Sequence, residues 1–142
     1  MKTLIAACLL IATTTAQADS LEERKFWKRN RDYIDEGLKK ADKACGTTFK
    51  FDWENAPTLR AEVEKTKHSP SGVCQSIISV VASICREGED EKATVKAKIT
   101  GFTCGYAKER TLDFKGSTLR YQGNNTQSNF DEWAKPWLLK HL

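Results

Sequence analysis

GVCQSIISVVASICR, residues 72–86, carries two of the chain's five cysteines and its most strongly patterned apolar segment outside the N-terminus. At about 100° per residue, Val73, Cys74, Ile77, Ile78, Val80, Val81, Ile84 and Cys85 fall within an arc of roughly 160°. Gln75, Ser76, Ser79, Ala82, Ser83 and Arg86 fill the other side. This separation predicts a helix laid against a core. Isoleucine and valine also favour strands, but an unbroken run of this length exceeds a typical strand.

Cys74 and Cys85 then lie on one face about 16 Å apart along the helix axis. A disulfide requires Cα atoms within about 7 Å. The two therefore cannot pair with each other. One must reach Cys45 and the other Cys104, which staples the helix to the segments before and after it.

The start of the chain bears on the compartment. Residues 1–18 read as a secretory leader, with Lys2 ahead of an apolar run and a small-residue cleavage motif at Ala16-Gln17-Ala18. The apolar run is too short to span a bilayer. Cleavage near Ala18 discards Cys8 and leaves an even cysteine count, as expected of a disulfide-stapled exported protein in a periplasm or outside the cell. Residues 19–142 are expected to form a single domain. The net charge of +4, in a chain with 30% charged residues, does not define a nucleic-acid binder or a membrane-surface protein. Nothing predicts a stable membrane anchor.

Ser20 with Glu23 forms a capping box, and Gly46 is a typical helix stop, so a long helix is expected over residues 21–44. Phe26, Trp27, Tyr33, Ile34, Leu38 and Ala41 share one face of it. Lys25, Lys28, Arg29 and Arg31 form a basic cluster beside the aromatics and are candidate partner-binding residues. Phe49, Phe51 and Trp53 alternate with Lys50 and Asp52 as in a half-buried strand. A turn over residues 54–57 leads to a short helix capped by Thr58 and running to about Lys67. Residues 87–91 (EGEDE) read as an acidic loop. Ala93, Val95, Ala97 and Ile99 alternate with polar neighbours and predict a strand, and the phase changes at Gly101 to Phe102, Cys104 and Tyr106. Two further short strands, around Leu112 and Phe114 and around Leu119 and Tyr121, flank a turn at Lys115-Gly116-Ser117.

The expected fold is therefore α+β: a long N-terminal helix and the central helix packed on a small antiparallel meander, closed by a C-terminal helix and two disulfides. The strand after the acidic loop would run back along the central helix at about 3.3 Å per residue. It would pass the level of Cys74 by Ile99. That places Cys104 nearer Cys74 and favours Cys74–Cys104 with Cys45–Cys85 over the alternative of Cys45–Cys74 with Cys85–Cys104.

Residues 123–128 (GNNTQS) form a polar loop, with Asn124 and Asn125 as further partner-binding candidates and a glycosylation sequon at Asn124-Asn125-Thr126. Asn129 with Glu132 suggests another capping box. Trp133 and Trp137 are expected to close the core, and Pro136 to kink or restart the last helix.

The chain has no GxSxG, HExxH or CxxC. Its only histidines are His68 and His141. No cofactor and no metal site are expected. The residues point first to a small exported binding protein, of inhibitor or immunity type, acting by protein–protein contact without catalysis. The alternative is a small secreted hydrolase using carboxylates or His68.

Overall fold

The computed structural model describes residues 20–142; the expected leader and Cys8 lie outside them. The order of elements is α1 (Leu21–Cys45), β1 (Lys50–Trp53), α2 (Ala56–Thr66), α3 (Ser71–Cys85), α4 (Glu89–Lys98), β2 (Gly101–Gly105), β3 (Thr111–Lys115), β4 (Thr118–Gln122) and α5 (Phe130–His141).

Helix α1 starts and ends for the expected reasons. The Ser20 hydroxyl accepts from the Glu23 amide at 3.1 Å, and Gly46 takes a left-handed conformation at φ 64°. Its core face, Ile34, Leu38, Ala41 and Cys45, packs on α3. Gly37 permits this approach, because a Cβ there would lie 2.6 Å from Gln75 Cγ. Gln75 in turn donates from Nε2 to the Tyr33 carbonyl at 2.9 Å.

Helix α3 is stapled at both ends. Cys45 bonds Cys85, joining the C-terminal ends of α1 and α3, and Cys74 bonds Cys104, joining the first turn of α3 to β2.

The sheet departs from the expected antiparallel meander. Its strand order is β1-β2-β4-β3, with β1–β2 and β2–β4 parallel and only the β3–β4 hairpin antiparallel. The α2–α3–α4 segment lies between β1 and β2 in the chain. It provides the long crossover that parallel strands require.

The expected strand over residues 93–99 is helical. Gly88 caps α4; Glu89, Asp90 and Glu91 fill its first turn, and Lys96 and Lys98 its last. These charges complement the helix dipole. Only Val95 and Ile99 of the alternating set are buried, four residues apart, as a helix face requires. Ala93 and Ala97 are exposed. The acidic residues 89–91 are thus a helix start rather than part of a loop.

Two rows of side chains cross the sheet towards the helices. One is Phe51, Phe102, Leu119 and Phe114; the next is Trp53, Cys104, Tyr121 and Leu112. The other face is polar, with Asp52, Thr103, Arg120 and Asp113 in register across all four strands. Arg120 grips both oxygens of Asp113, at 2.7 and 2.6 Å, and reaches Glu54 at 3.1 Å. The bidentate guanidinium holds Asp113 below the usual carboxylate range.

The free edge of β1 is closed by side chains. Asp42 accepts from the Phe49 amide, Arg31 donates to the Phe51 carbonyl and Asp52 accepts from the Trp53 amide. An edge protected in this way is a poor template for strand addition.

Helix α2 begins at Ala56, two residues before the expected cap, with Asn55 at φ 47° preceding it. Its buried residues, Leu59 and Val63, lie outside the main core cluster. Helix α5 is continuous through Pro136. Asn129 sits in a left-handed conformation and makes no side-chain cap, so the second expected capping box does not form. Trp133 and Trp137 pack against the core while keeping part of their surface exposed. Among the described residues no helix is long and apolar enough to cross a membrane.

Candidate functional site

Three depressions follow one another along the helical side of the molecule, each sharing one lining residue with the next; together they are called the trough here. The first, of about 320 Å³, opens between α1 and α2 and is walled by Phe26, Trp27 and Val63. Glu23, Arg60, Glu64 and Lys67 form its rim. The Arg60 guanidinium lies 5.4 Å from the Trp27 ring centroid and pairs with Glu23 at 3.2 Å.

The second, of about 260 Å³, shares Phe26 with the first and adds Arg29, Tyr33, Ser69 and Ser71. Tyr33 is 46% exposed, so its ring is available to a partner. The third, of about 660 Å³, shares Ser69 with the second. Its walls are the exposed face of α3 (Gly72, Gln75, Ser76 and Ser79), Asn125 and Gln127 to Asn129 of the following loop, and the first turn of α5 with Asp131 and Glu132.

One buried amide organises the middle of this trough. Asn30 is 4% exposed and sits on the core side of α1. Its Oδ1 accepts from the Ser69 hydroxyl at 2.5 Å and the Ser71 amide at 3.2 Å. Its Nδ2 donates to the Phe26 carbonyl at 2.9 Å. The Ser69 and Ser71 hydroxyls share a further hydrogen bond at 2.9 Å. The segment that feeds α3 is thereby latched onto α1.

The opposite wall is held by its own bonds. The Tyr121 hydroxyl donates to Gln127 Oε1 at 2.9 Å. Asn124 Oδ1 accepts from the amide and the hydroxyl of Thr126 at 3.0 and 2.7 Å. Asn125 Nδ2 donates to the His68 carbonyl at 3.2 Å, tying this loop to the α2–α3 connection. Arg110 donates to the Ser128 carbonyl and lies 4.5 Å from the Trp133 ring centroid.

Burial pushes the Tyr121 hydroxyl up to about 12, against a smaller opposing pull from Arg110. In the unfolded chain the phenol ionises near pH 10, so the folded state holds its proton to higher pH. The contribution of this group to stability is therefore fully present below pH 10 and is lost as pH rises towards 12, by about 2–3 kcal/mol. Urea unfolding at pH 8 and pH 11.5 measures this fall. Tyr121→Phe is expected to reduce the difference; an unchanged pH dependence in that variant would assign it to other groups.

The sequence candidates separate in space. Arg29 and Asn125 line the trough, Arg29 in its middle and Asn125 in its widest part. Lys25 pairs with Glu22 and Lys28 with Asp32, as exposed pairs along α1. Arg31 pairs with Asp35, bonds the Phe51 carbonyl and lies over the Phe51 ring, joining α1 to β1. The Asn124 side chain is taken up by Thr126 and by the Lys108 carbonyl.

His68 is exposed. Its amide donates to Thr66 Oγ1, and no carboxylate pairs with its ring among the described residues. The His141 ring stacks on Trp137 at 4.0 Å between centroids. Among the described residues there is no group of three His, Cys, Asp or Glu side chains placed to hold a metal.

The chain matches no protein-family model, and no curated protein or solved structure is significantly similar to it.

Asn30 is the organising residue that the helical pattern overlooks. A polar side chain between Phe26, Trp27 and Ile34 on the apolar face of α1 is itself a signal, because a buried amide must find partners. Tyr33 and Gln75 carry no comparable mark.

Proposed function

We propose that this chain is an exported, non-catalytic binding protein that receives an extended segment of a partner protein along the trough. The succession of three depressions from Trp27 to Glu132, neighbours through the shared residues Phe26 and Ser69, supports this reading. A single small-molecule site would be more enclosed and would converge its polar groups on one point. Here hydroxyl, amide and aromatic groups are spread along a channel, as contacts to an extended chain require.

The scaffold suits that task. The trough draws walls from α1, α3 and α5, and the two disulfides hold α1 and β2 to α3. A wall already in place lowers the ordering cost of binding. The leader-like residues 1–18 and the paired cysteines support action outside the cytoplasm.

Site-specific photo-crosslinking tests the reading. With benzoylphenylalanine in place of Ser69 or Ser79, a single crosslinked partner is expected from the native envelope or culture fluid. With the same group in place of Thr103, on the outer face of the sheet, none is expected. Crosslinking from Thr103 alone would move the interface to the sheet and overturn the proposal.

A further inference from the structure

We infer that the open edge of β3 pairs with β3 of a second copy of this chain, antiparallel and across a two-fold axis. This edge lies on the far side of the sheet from β1 and lines none of the three depressions of the trough.

The hydrogen bonds around β4 settle which groups of β3 are free. The Thr100 amide donates to the Ser117 carbonyl, and the Gly123 amide to the Gly105 carbonyl. Backbone groups alternate in direction along a strand, so residues 117, 119, 121 and 123 face β2. Thr118, Arg120 and Gln122 then face β3, where their partners are Lys115, Asp113 and Thr111. The amides and carbonyls of Leu112 and Phe114 point the other way, off the sheet. Among the described residues, no backbone or side-chain group bonds them. The β1 edge, by contrast, is closed by Asp42, Arg31 and Asp52. An extended edge with unpaired amides and carbonyls is a template for another strand.

The side chains of this edge select the occupant. Asp113 and Lys115 stand on the outer face of the sheet, and Leu112 and Phe114 on the face towards the helices. Lys115 is exposed and has no carboxylate partner among the described residues. Asp113 is 42% exposed and shares Arg120 with Glu54, so that cluster keeps one net negative charge.

Two-fold antiparallel pairing aligns the free groups of residues 112 and 114 in three registers. With Leu112 opposite its counterpart, Asp113 faces Thr111 of the other copy. With Leu112 opposite Phe114, Asp113 faces its own counterpart, and like charges directly opposite are destabilising. With Phe114 opposite its counterpart, Asp113 of each copy faces Lys115 of the other, which gives two opposite-charge pairs. The same register brings together the two Phe114 rings, each stacked on its own Trp137 at 5.8 Å and only partly buried. A strand complementary to itself in one register fits a second copy better than a foreign strand. The paired segment is short, so the dimer is expected to be weak and reversible.

Sedimentation velocity of the oxidised protein over a range of concentrations tests this, with hydrogen exchange at low and high concentration. A reversible dimer is expected. The Leu112 and Phe114 amides are expected to gain protection as it forms, while the Asp113 and Lys115 amides, already bonded to β4, change little. Lys115→Glu sets two acidic groups opposite each other, and Asp113→Lys two basic ones. Each change is expected to weaken self-association about tenfold. Mixed together, the two variants regain both charge pairs and are expected to form the heterodimer. Asp113→Lys gives up the Arg120 pair, so its melting temperature is checked first; Lys115→Glu and the exchange data decide the matter if it unfolds. A protein monomeric at every concentration would overturn the inference. So would a dimer indifferent to Lys115→Glu, one that leaves the Leu112 and Phe114 amides unprotected, or two folded variants that form no heterodimer. Protection of these amides only with a different protein bound would assign the edge to that protein and equally overturn it.

Discussion

Replacing Cys45 and Cys85 together by alanine is expected to lower the stability of the protein by about 4 kcal/mol. The two cysteines are 40 residues apart in the chain, and both are buried where the C-terminal ends of α1 and α3 meet. In the unfolded state the bond removes the freedom of a long loop, and that restriction supplies most of the effect. The double alanine variant avoids leaving a lone thiol in the core. At this chain length the loss corresponds to a fall of roughly 15 °C in melting temperature, read by thermal denaturation of the oxidised protein. An unchanged melting temperature would mean that packing between α1 and α3 holds these ends without the bond.

Asn30→Ala is expected to cost about 2–3 kcal/mol and to loosen the trough. The substitution strips the acceptor from two donors at once, the Ser69 hydroxyl and the Ser71 amide, and Ser71 is 6% exposed. A buried amide left without an acceptor incurs the full desolvation penalty, whereas the loss of a solvated bond would count for little. Ser69→Ala removes one of the two bonds to Asn30, together with the bond between the Ser69 and Ser71 hydroxyls, leaves the Ser71 amide paired and is expected to cost about 1 kcal/mol. Combining the two changes should give less than the sum, because both act through the same carbonyl oxygen. Urea unfolding measures the cycle, and hydrogen exchange at the Ser71 amide reports the latch directly. Additive effects with unchanged protection at Ser71 would show that Asn30 does not hold the segment.

How much was legible varied with the distance over which each feature is decided. The two ends of α1 are local: a serine hydroxyl and a glycine, each acting within one turn. The helical period of α3 is likewise carried by its own residues. The disulfide pairing was reachable because a three-turn helix is a ruler, and no arrangement brings Cys74 to Cys85. It came out despite a wrong step, since residues 93–99 are not a strand. The ten residues of α4 rise about 15 Å, close to the separation of Cys85 from Cys74 along α3. The return path therefore covers the same height, and β2 still begins near Cys74.

The misreading of α4 has a physical source. Alanine, lysine and threonine alternating with valine and isoleucine satisfy a period of two, yet alanine and lysine are good helix formers. The alternation implied four inward residues, and only Val95 and Ile99 are buried. The charges decided the matter, acidic at the start and basic at the end of the segment.

The candidate site was legible only in fragments. Arg29 and Asn125 were visible as a charge in a cluster and an amide in a polar loop. Nothing in their spacing, with more than ninety residues between them, indicates that they border one channel. That relation depends on Asn30 drawing residues 69–71 onto α1, and on Asn125 bonding the His68 carbonyl.

By itself, the sequence determined the α+β class, the two long helices and the exclusion of a Cys74–Cys85 bond, because caps, periods and helix rise act over one to three turns. Only the tertiary structure decided which of the two remaining cysteine pairings forms, the parallel pairing of β1 with β2 and the placing of α1, α3 and α5 along one trough. Each of these rests on which distant surfaces bury one another, and that choice is made by the packed core as a whole.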